Sequence, residues 1–312
     1  MNVIHYPNDP VPANWTNPAV ALGNFDGVHR GHTKILKNVC ARASERGGTP
    51  LVLTFEPHPT RIVRPDKAPP LLMTASQKLA CFEMAGIEGV AMVEFTADLS
   101  QWTPDEFVRR VLVEWLRASE VWVGANFLFG HERSGNYSLL RSLGARYGFL
   151  TDKIEPVRYK DFIVSSTRVR RLISDGRVDE AGALLGHHYM LDGVIETGSG
   201  RGRGHGIPTA NLQTKNELLP PDGVYATTVT IDSRIFGSVT NIGHRPTFGN
   251  DGPRVVETHI FDFDADLYGK DISLAFVQRL REERTFDDAD ALRQQIDTDC
   301  ANAKKLFAEI SL

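Results

Sequence analysis

Short, largely apolar runs punctuate the first half of the chain, at 20-VALG-23, 51-LVLTF-55, 90-VAMVEF-95 and 121-VWVG-124. Runs of this length, rich in β-branched residues and bounded by glycine, proline or charge, predict strands buried on both faces. Between them the apolar spacing changes to three and four. Ile35, Leu36, Val39, Cys40 and Ala43 fall on one stripe, and 104-PDEFVRRVLVEWLRA-118 opens with proline at a first helical position. Strand and helix in alternation predict an α/β fold with a parallel sheet covered on both sides.

The pattern changes near residue 187. From 189-YMLDGVIETGSG-200 to 270-KDISLAFVQRL-280 the runs alternate apolar with polar positions and are separated by Gly, Pro, Asn and Asp, as in 220-PPDGVYA-226 and 241-NIGHRPTFGND-251. Such spacing predicts an antiparallel barrel or sandwich. Leu292, Ile296, Cys300, Ala303, Phe307 and Ile310 then share one stripe of a closing helix, which is expected to dock on this second domain. The expected division is 1–186 and 187–312, and a chain of 312 residues agrees with two domains, since single cores stop growing at roughly 250–300 residues.

Composition narrows the partners. With 41% hydrophobic and 24% charged residues and a formal net charge of -4, the chain lacks a polycationic surface, so a nucleic-acid-coating role is not expected. No run reaches the roughly 18 apolar residues of a membrane span, and the first residues have no basic, apolar leader pattern. The expectation is a cytoplasmic protein with no membrane partner. Cys40, Cys81 and Cys300 lie far apart with no CxxC pair, which predicts buried free thiols. Met73, Met84 and Met92 are expected to fill the core.

The candidate chemistry begins at 23-GNFDGVHRGH-32. Gly23, Gly27 and Gly31 stand between the first strand and the first helix, where an open sheet binds its ligands and backbone amides can face a phosphate. His29 and His32 add side-chain donors, Phe25 belongs to the same turn, and Asp26 suits a cation or a ribose hydroxyl. His-x-Gly-His at such a position is a nucleotidyltransferase signature: imidazoles stabilise charge on an α-phosphate while pyrophosphate leaves. The attacking phosphate, with a second pKa of about 6, needs no general base. In 165-SSTRVRR-171, Ser166, Thr167 and Arg168 open a predicted helix and offer further phosphate donors. The Gly- and Asn-rich loop 124-GANFLFGHERSGN-136 carries Phe127 and Phe129, which either hold an aromatic ring or pack.

With GNFDGVHRGH (23–32), TFEPHP (54–59), VGANFLFG (123–130), SSTRVR (165–170), PTAN (208–211), GVYA (223–226), NIGHRPTFG (241–249) and VETHIFDFDADLYG (256–269) in this order, nearly the whole chain resembles the bacterial bifunctional riboflavin kinases/FAD synthetases. The resemblance implies an N-terminal Rossmann-like FMN adenylyltransferase domain and a C-terminal β-barrel riboflavin kinase domain. It implies ATP as co-substrate, riboflavin and FMN as flavin substrates, FMN and FAD as products, Mg²⁺ in both steps, and Asn126 and Phe127 as flavin contacts. It departs from the family at His187 and His188, where Arg-Pro is commoner, and at Asn126, where many members have Asp.

Neither GxxxxGK[ST] nor a strand-following GxGxxG is present for the kinase step. Instead 198-GSGRGRGHGIPTANL-212 offers glycine backbone around Gly202 and Gly204 for phosphates, with Arg201 and Arg203. Thr209 and Asn211 provide hard oxygens suited to Mg²⁺ and, two apart on an extended segment, face one side. The resemblance assigns these two to metal and nucleotide and Glu257 to the base that accepts the riboflavin hydroxyl proton. The rival readings are a member with one silent domain, a flavin-binding sensor without turnover, and, from the first motif alone, a cytidylyltransferase. Oligomeric state is left open by the sequence.

Overall fold

A computed structural model describes residues 1–196, 208–244 and 254–310. Its contacts divide the chain into two units. One holds Met1–Pro70 and Ala75–Ser165; the other holds Leu71–Thr74 and the described residues from Ser166 onward.

The first unit is built on six parallel strands: β1 (Asn2–Tyr6), β2 (Ala19–Leu22), β3 (Pro50–Glu56), β4 (Gly89–Glu94), β5 (Glu120–Val123) and β6 (Leu150–Lys153), in the order β1-β4-β3-β2-β5-β6. The four apolar runs become β2 to β5, and every residue of β2 and β5 is buried, as helices on both faces require. β1 has no such run. It lies at the sheet edge with Ile4 alone buried, so half its positions are polar and its periodicity is weak. Helix α1 (Arg30–Arg46) follows β2 and buries Ile35, Leu36, Val39 and Ala43; α2 (Ala75–Met84) precedes β4, and α3 (Tyr137–Tyr147) precedes β6. The segment from Pro104 starts as expected, with Thr103 and Glu106 in a reciprocal capping box, but widens to π-helical turns over Val108–Trp115. Met73 and Met92 are buried, whereas Met84, at the end of α2, is 79% exposed, a correction to its core assignment.

Successive strands leave β2 on one side to form β3 and β4, and return on its other side as β5. The carboxyl end of β2 is therefore a switch point, the place where an open sheet leaves a crevice.

The second unit is a closed antiparallel barrel of β7 (Tyr189–Glu196), β8 (Ala210–Thr214), β9 (Gly223–Ile231), β10 (Arg234–His244), β11 (Arg254–Ile260) and β12 (Asp271–Arg281), ordered β7-β8-β11-β10-β9-β12 and back to β7. Helices α4 (Ser166–Ser174) and α5 (Val178–Leu185) precede it. Closure removes the unpaired edges that an open sheet of these strands would carry. Inward positions include Ser238, Thr227, Thr240 and Thr258, whose hydroxyls bond one another in a chain at 2.7–3.0 Å. Each of these buried hydroxyls has a hydrogen-bond partner within the chain.

The closing helix α6 (Ala289–Ile310) packs Cys300, Ala303, Leu306 and Phe307 on Val224, Ala226, Val239 and Phe261. The expected stripe docks through its middle, while Ile310 at its end is exposed. Asp299 is buried on the same helix and accepts both Nε and an Nη of Arg281 at 2.9–3.1 Å, a bidentate pair that fixes the helix against β12.

Candidate active sites

The first candidate site lies at the carboxyl end of β2. Gly23 N–H donates to Leu53 O at 3.1 Å, and Thr54 Oγ1 donates to Asn24 O at 3.3 Å, so β3 holds the start of the turn. Three residues then adopt left-handed backbone: Phe25 (φ +53°), Gly27 (φ +84°) and Val28 (φ +34°). Gly27 enters that region without strain, but a β-branched valine does so at a cost of about 1–3 kcal/mol, the kind of local strain that marks functional turns.

The turn delivers His29 as the N-cap of α1, where its Nδ1 accepts from His32 N at 3.3 Å. With Nδ1 accepting, the proton of the neutral ring sits on Nε2, which becomes the donor. The two imidazoles stack, centroids 3.7 Å apart and 14° from parallel. Gly31 makes room for this: a Cβ there would come within 3.1 Å of the His29 ring. Phe25 is buried and supports His32 edge-on at 5.2 Å, so its ring is a pillar of the site and its backbone is what remains to meet a ligand. Asp26 is buried in the same turn.

Both imidazoles are neutral at pH 7. Burial lowers His29 to about 4, and burial followed by the neighbouring His29 drives His32 well below its ordinary value. The Nδ1 of His32 is buried without a hydrogen-bond partner among the described residues. An anion at the helix start would reverse both effects, since opposite charge favours the imidazolium.

Elsewhere in this unit Asn126 is exposed and Phe127, half-buried, stacks on Phe129 at 5.3 Å; Phe129 meets Phe107 and Phe107 meets Phe55. Asn126 and Phe127 thus stand at the outer end of an aromatic array rooted in the core. Ser166, Thr167 and Arg168 form the first turn of α4, whose Val169, Leu172 and Ile173 are buried in the second unit.

The second candidate site is a row across the barrel. Strand register sets Asn211 on β8 directly opposite Glu257 on β11, and Glu257 directly opposite Asn241 on β10; on the other side Asn211 faces Glu196 on β7. Directly opposed residues share a face with Cβ atoms about 4.5–5.5 Å apart. Thr258, the next residue, points inward and is fully buried, so this row lies on the outer face of the barrel. Asn211 Oδ1 is buried with no hydrogen-bond partner among the described residues. His259, two residues beyond Glu257, donates Nδ1–H to Pro208 O at 2.9 Å and so secures the segment that leads into Thr209 and Asn211. Thr209 is exposed. Gly202 and Gly204, with Arg201 and Arg203, lie outside the described residues.

Three residues beside these sites were not among the expected site residues. Asn241 and His259 owe their places to register, which no local pattern reveals. Lys78 stands on the buried face of α2, where 77, 78, 81 and 82 recur at helical spacing, and a lysine in that stripe was a readable anomaly.

Comparison with known proteins decides the family. Residues 11–168 match the family described as FAD synthetase and residues 185–307 the family described as riboflavin kinase. The bifunctional riboflavin kinase/FMN adenylyltransferase of Pseudomonas fluorescens is 38% identical over 287 residues, 92% of each chain. This chain belongs to the bifunctional riboflavin kinase/FMN adenylyltransferase family. The family member of Bacillus subtilis is 32% identical over 317 residues, 99% of each chain, and that of Escherichia coli K12 is 34% identical over 289 residues. Among solved structures, one titled a macrolide-efflux protein from Streptococcus pneumoniae superposes with a TM-score of 0.87 at 27% identity, covering 97% of this chain and 99% of its own. Efflux is said of that protein; among the described residues here no helix is long and apolar enough to cross a membrane. Within the riboflavin kinase/FMN adenylyltransferase family, the histidine turn lies in the FAD synthetase match and the Asn211–Glu257 row in the riboflavin kinase match.

Proposed function

We propose that residues 1–186 carry the FMN adenylyltransferase and residues 187–312 the riboflavin kinase, each with the site residues described above. The chain is a bifunctional transferase of FMN and FAD biosynthesis that uses ATP twice. In the first step Glu257 accepts the 5′-hydroxyl proton of riboflavin as the hydroxyl oxygen attacks the γ-phosphorus of ATP, giving FMN and ADP. In the second, the FMN phosphate attacks the α-phosphorus of ATP and pyrophosphate leaves; His29 and His32 stabilise the charge that builds there, with amides at the start of α1. Gly23, Phe25, Asp26 and Gly31 shape that nucleotide turn, and Ser166, Thr167 and Arg168 assist on phosphate. Asn126 and Phe127 contact the flavin.

Mg²⁺ fits the barrel row. The orphaned Oδ1 of Asn211 and the hydroxyl of Thr209 are the neutral hard oxygens this ion takes alongside water, and among the described residues no competing His, Cys, Asp and Glu cluster is present. When bound, Mg²⁺ neutralises polyphosphate charge. Thr209 and Asn211 orient the nucleotide, and Glu257 holds the proton. Gly202 and Gly204 are assigned to the same phosphates. An enzyme of this kind works where ATP is plentiful, which supports a cytoplasmic location with no nucleic-acid or membrane partner.

The observation that carries the reading is the direct opposition of Asn211 and Glu257, a metal-type oxygen beside a base, within the segment matched to riboflavin kinase. The test is to incubate the purified chain with riboflavin, ATP and Mg²⁺ and to separate the flavins over time. FMN should rise and then yield to FAD; riboflavin left unchanged would overturn the kinase assignment, and FMN accumulating without FAD would overturn the adenylyltransferase assignment.

A further inference from the structure

Helix α2 buries Gln77, Lys78, Cys81 and Phe82 along one face. Lys78 is only 8% exposed, and no other lysine or arginine is buried among the described residues. Desolvating an ammonium costs several kcal/mol, so a hydrocarbon side chain would serve packing better at this position. Lys78 is thus a buried charge that neither the core nor the two reactions described above account for.

Its surroundings show what it faces. Phe82, four residues on and therefore on the same side of the helix, meets the Phe25 ring edge-on at 5.5 Å, and Phe25 meets His32 at 5.2 Å. The face that carries Lys78 accordingly lies against the turn that presents the histidines. Burial lowers the Lys78 pKa, and the carboxylates of Glu56 and Asp26 oppose that shift by favouring the ammonium. Glu56 is exposed in the 54–59 segment, whereas Asp26 is buried and would be costly to hold as a carboxylate without a nearby cation.

Resting on the adenylyl-transfer reading, we propose that Lys78 is a positioning residue: its ammonium holds the Asp26 carboxylate, and so fixes the left-handed turn that presents His29, His32 and the first amides of α1 to the ATP phosphates. Lys78 acts through Asp26 and touches no reacting atom. A role of this kind changes how well the donors meet the transition state more than how tightly ATP binds, so it belongs in kcat.

The experiment uses the full chain and measures FAD formation from FMN, ATP and Mg²⁺, with riboflavin phosphorylation as the control. Lys78→Met keeps the stem and removes the charge. It should lower kcat for FAD formation by about 10- to 100-fold, the scale of a misplaced constellation, and move the ATP KM by less than about threefold. Riboflavin phosphorylation should hold, and Lys78→Arg should recover most of the loss. Asp26→Asn should lower kcat similarly, and the double variant should be no worse than the poorer single one, because the two residues act as a unit.

A Lys78→Met chain that makes FAD at the original kcat overturns the proposal, as do single losses that multiply in the double variant. Where Lys78→Met does not fold, Asp26→Asn decides: kcat must fall with ATP KM held, and an unchanged kcat overturns the proposal. Failure of the unsubstituted chain to form FAD at all would instead sink the adenylyl-transfer reading; FAD formation lost in His29→Ala but untouched in Lys78→Met sinks the positioning role alone.

Discussion

In the proposed function, the histidine turn and the barrel row handle the same cosubstrate by opposite structural means. In the turn, precision resides in backbone conformation: three residues at positive φ and a helix cap bring two imidazoles to 3.7 Å over only four positions of sequence. In the row, precision resides in register: Glu196, Asn211, Glu257 and Asn241 come from four strands and meet because the ladders align them. The first kind of site is vulnerable to a change of φ preference, the second to a one-residue slip, which would turn Glu257 inward. The chemistry divides along the same line. Transfer to a phosphate that is already ionised needs donors, which a helix start supplies. Transfer to an alcohol needs a base and a metal-type oxygen held together, which two paired strands supply.

The largest break in this comparison should come from Glu257→Gln, which keeps the register and removes the base. Riboflavin phosphorylation should fall by roughly 10²–10⁴, while FAD formation from supplied FMN continues unchanged. Flavin chromatography of the two half-reactions reads both, and full-rate FMN production would remove the base assignment. His29→Ala is the mirror image: FAD formation should drop by about 10²–10³, the worth of one transition-state donor, with phosphorylation intact. If each substitution silenced both steps, the sites would not be separable as described.

A pH series sharpens the contrast through stability. His29 titrates at about 4 in the folded chain against an ordinary 6.5, because burial disfavours its charged form. Between those values the unfolded chain binds a proton that the folded chain does not, so stability falls as pH drops from 6.5 toward 4 and is not restored below it. The loss attached to this one ring is on the order of 3 kcal/mol, and His32 acts in the same direction. Urea unfolding across that range should show the decline, and His29→Ala should flatten it; an equal decline in the variant would refute the assignment. A smaller effect is expected from Gly27→Ala, which forces a side chain into the left-handed region for about 1–2 kcal/mol. Its melting temperature should fall by a few degrees, whereas replacing Asn241 on a regular strand by threonine should barely move it.

Legibility followed the same divide between local and distant determinants. The apolar runs read as β2 to β5, the stripe read as α1, and the histidines with their glycines all lie within a few residues of one another, so sequence spacing carried them. The row across the barrel did not emerge from spacing. Thr209 and Asn211 could be read as paired hard oxygens, but Glu257 entered through resemblance alone, because the ladder that pairs positions 211 and 257 depends on the folding of the intervening chain. Asn241 and His259 were missed for that reason. β1 escaped because an edge strand needs only one buried side chain, and Met84 was misplaced because the stripe of α2 ends at Phe82. Lys78 is a different case: its position in an apolar stripe was visible, but the charge that explains it sits some fifty residues earlier, on Asp26.

The barrel also has a topological consequence for Glu257. Six strands paired in a ring have no free end, so no single strand can slide without breaking ladders on both flanks. Glu257 and the neighbouring Asn211 and Asn241 therefore behave like teeth on a closed gear: segments between strands can lengthen or change composition, and the alignment of the teeth is preserved by the circuit as a whole.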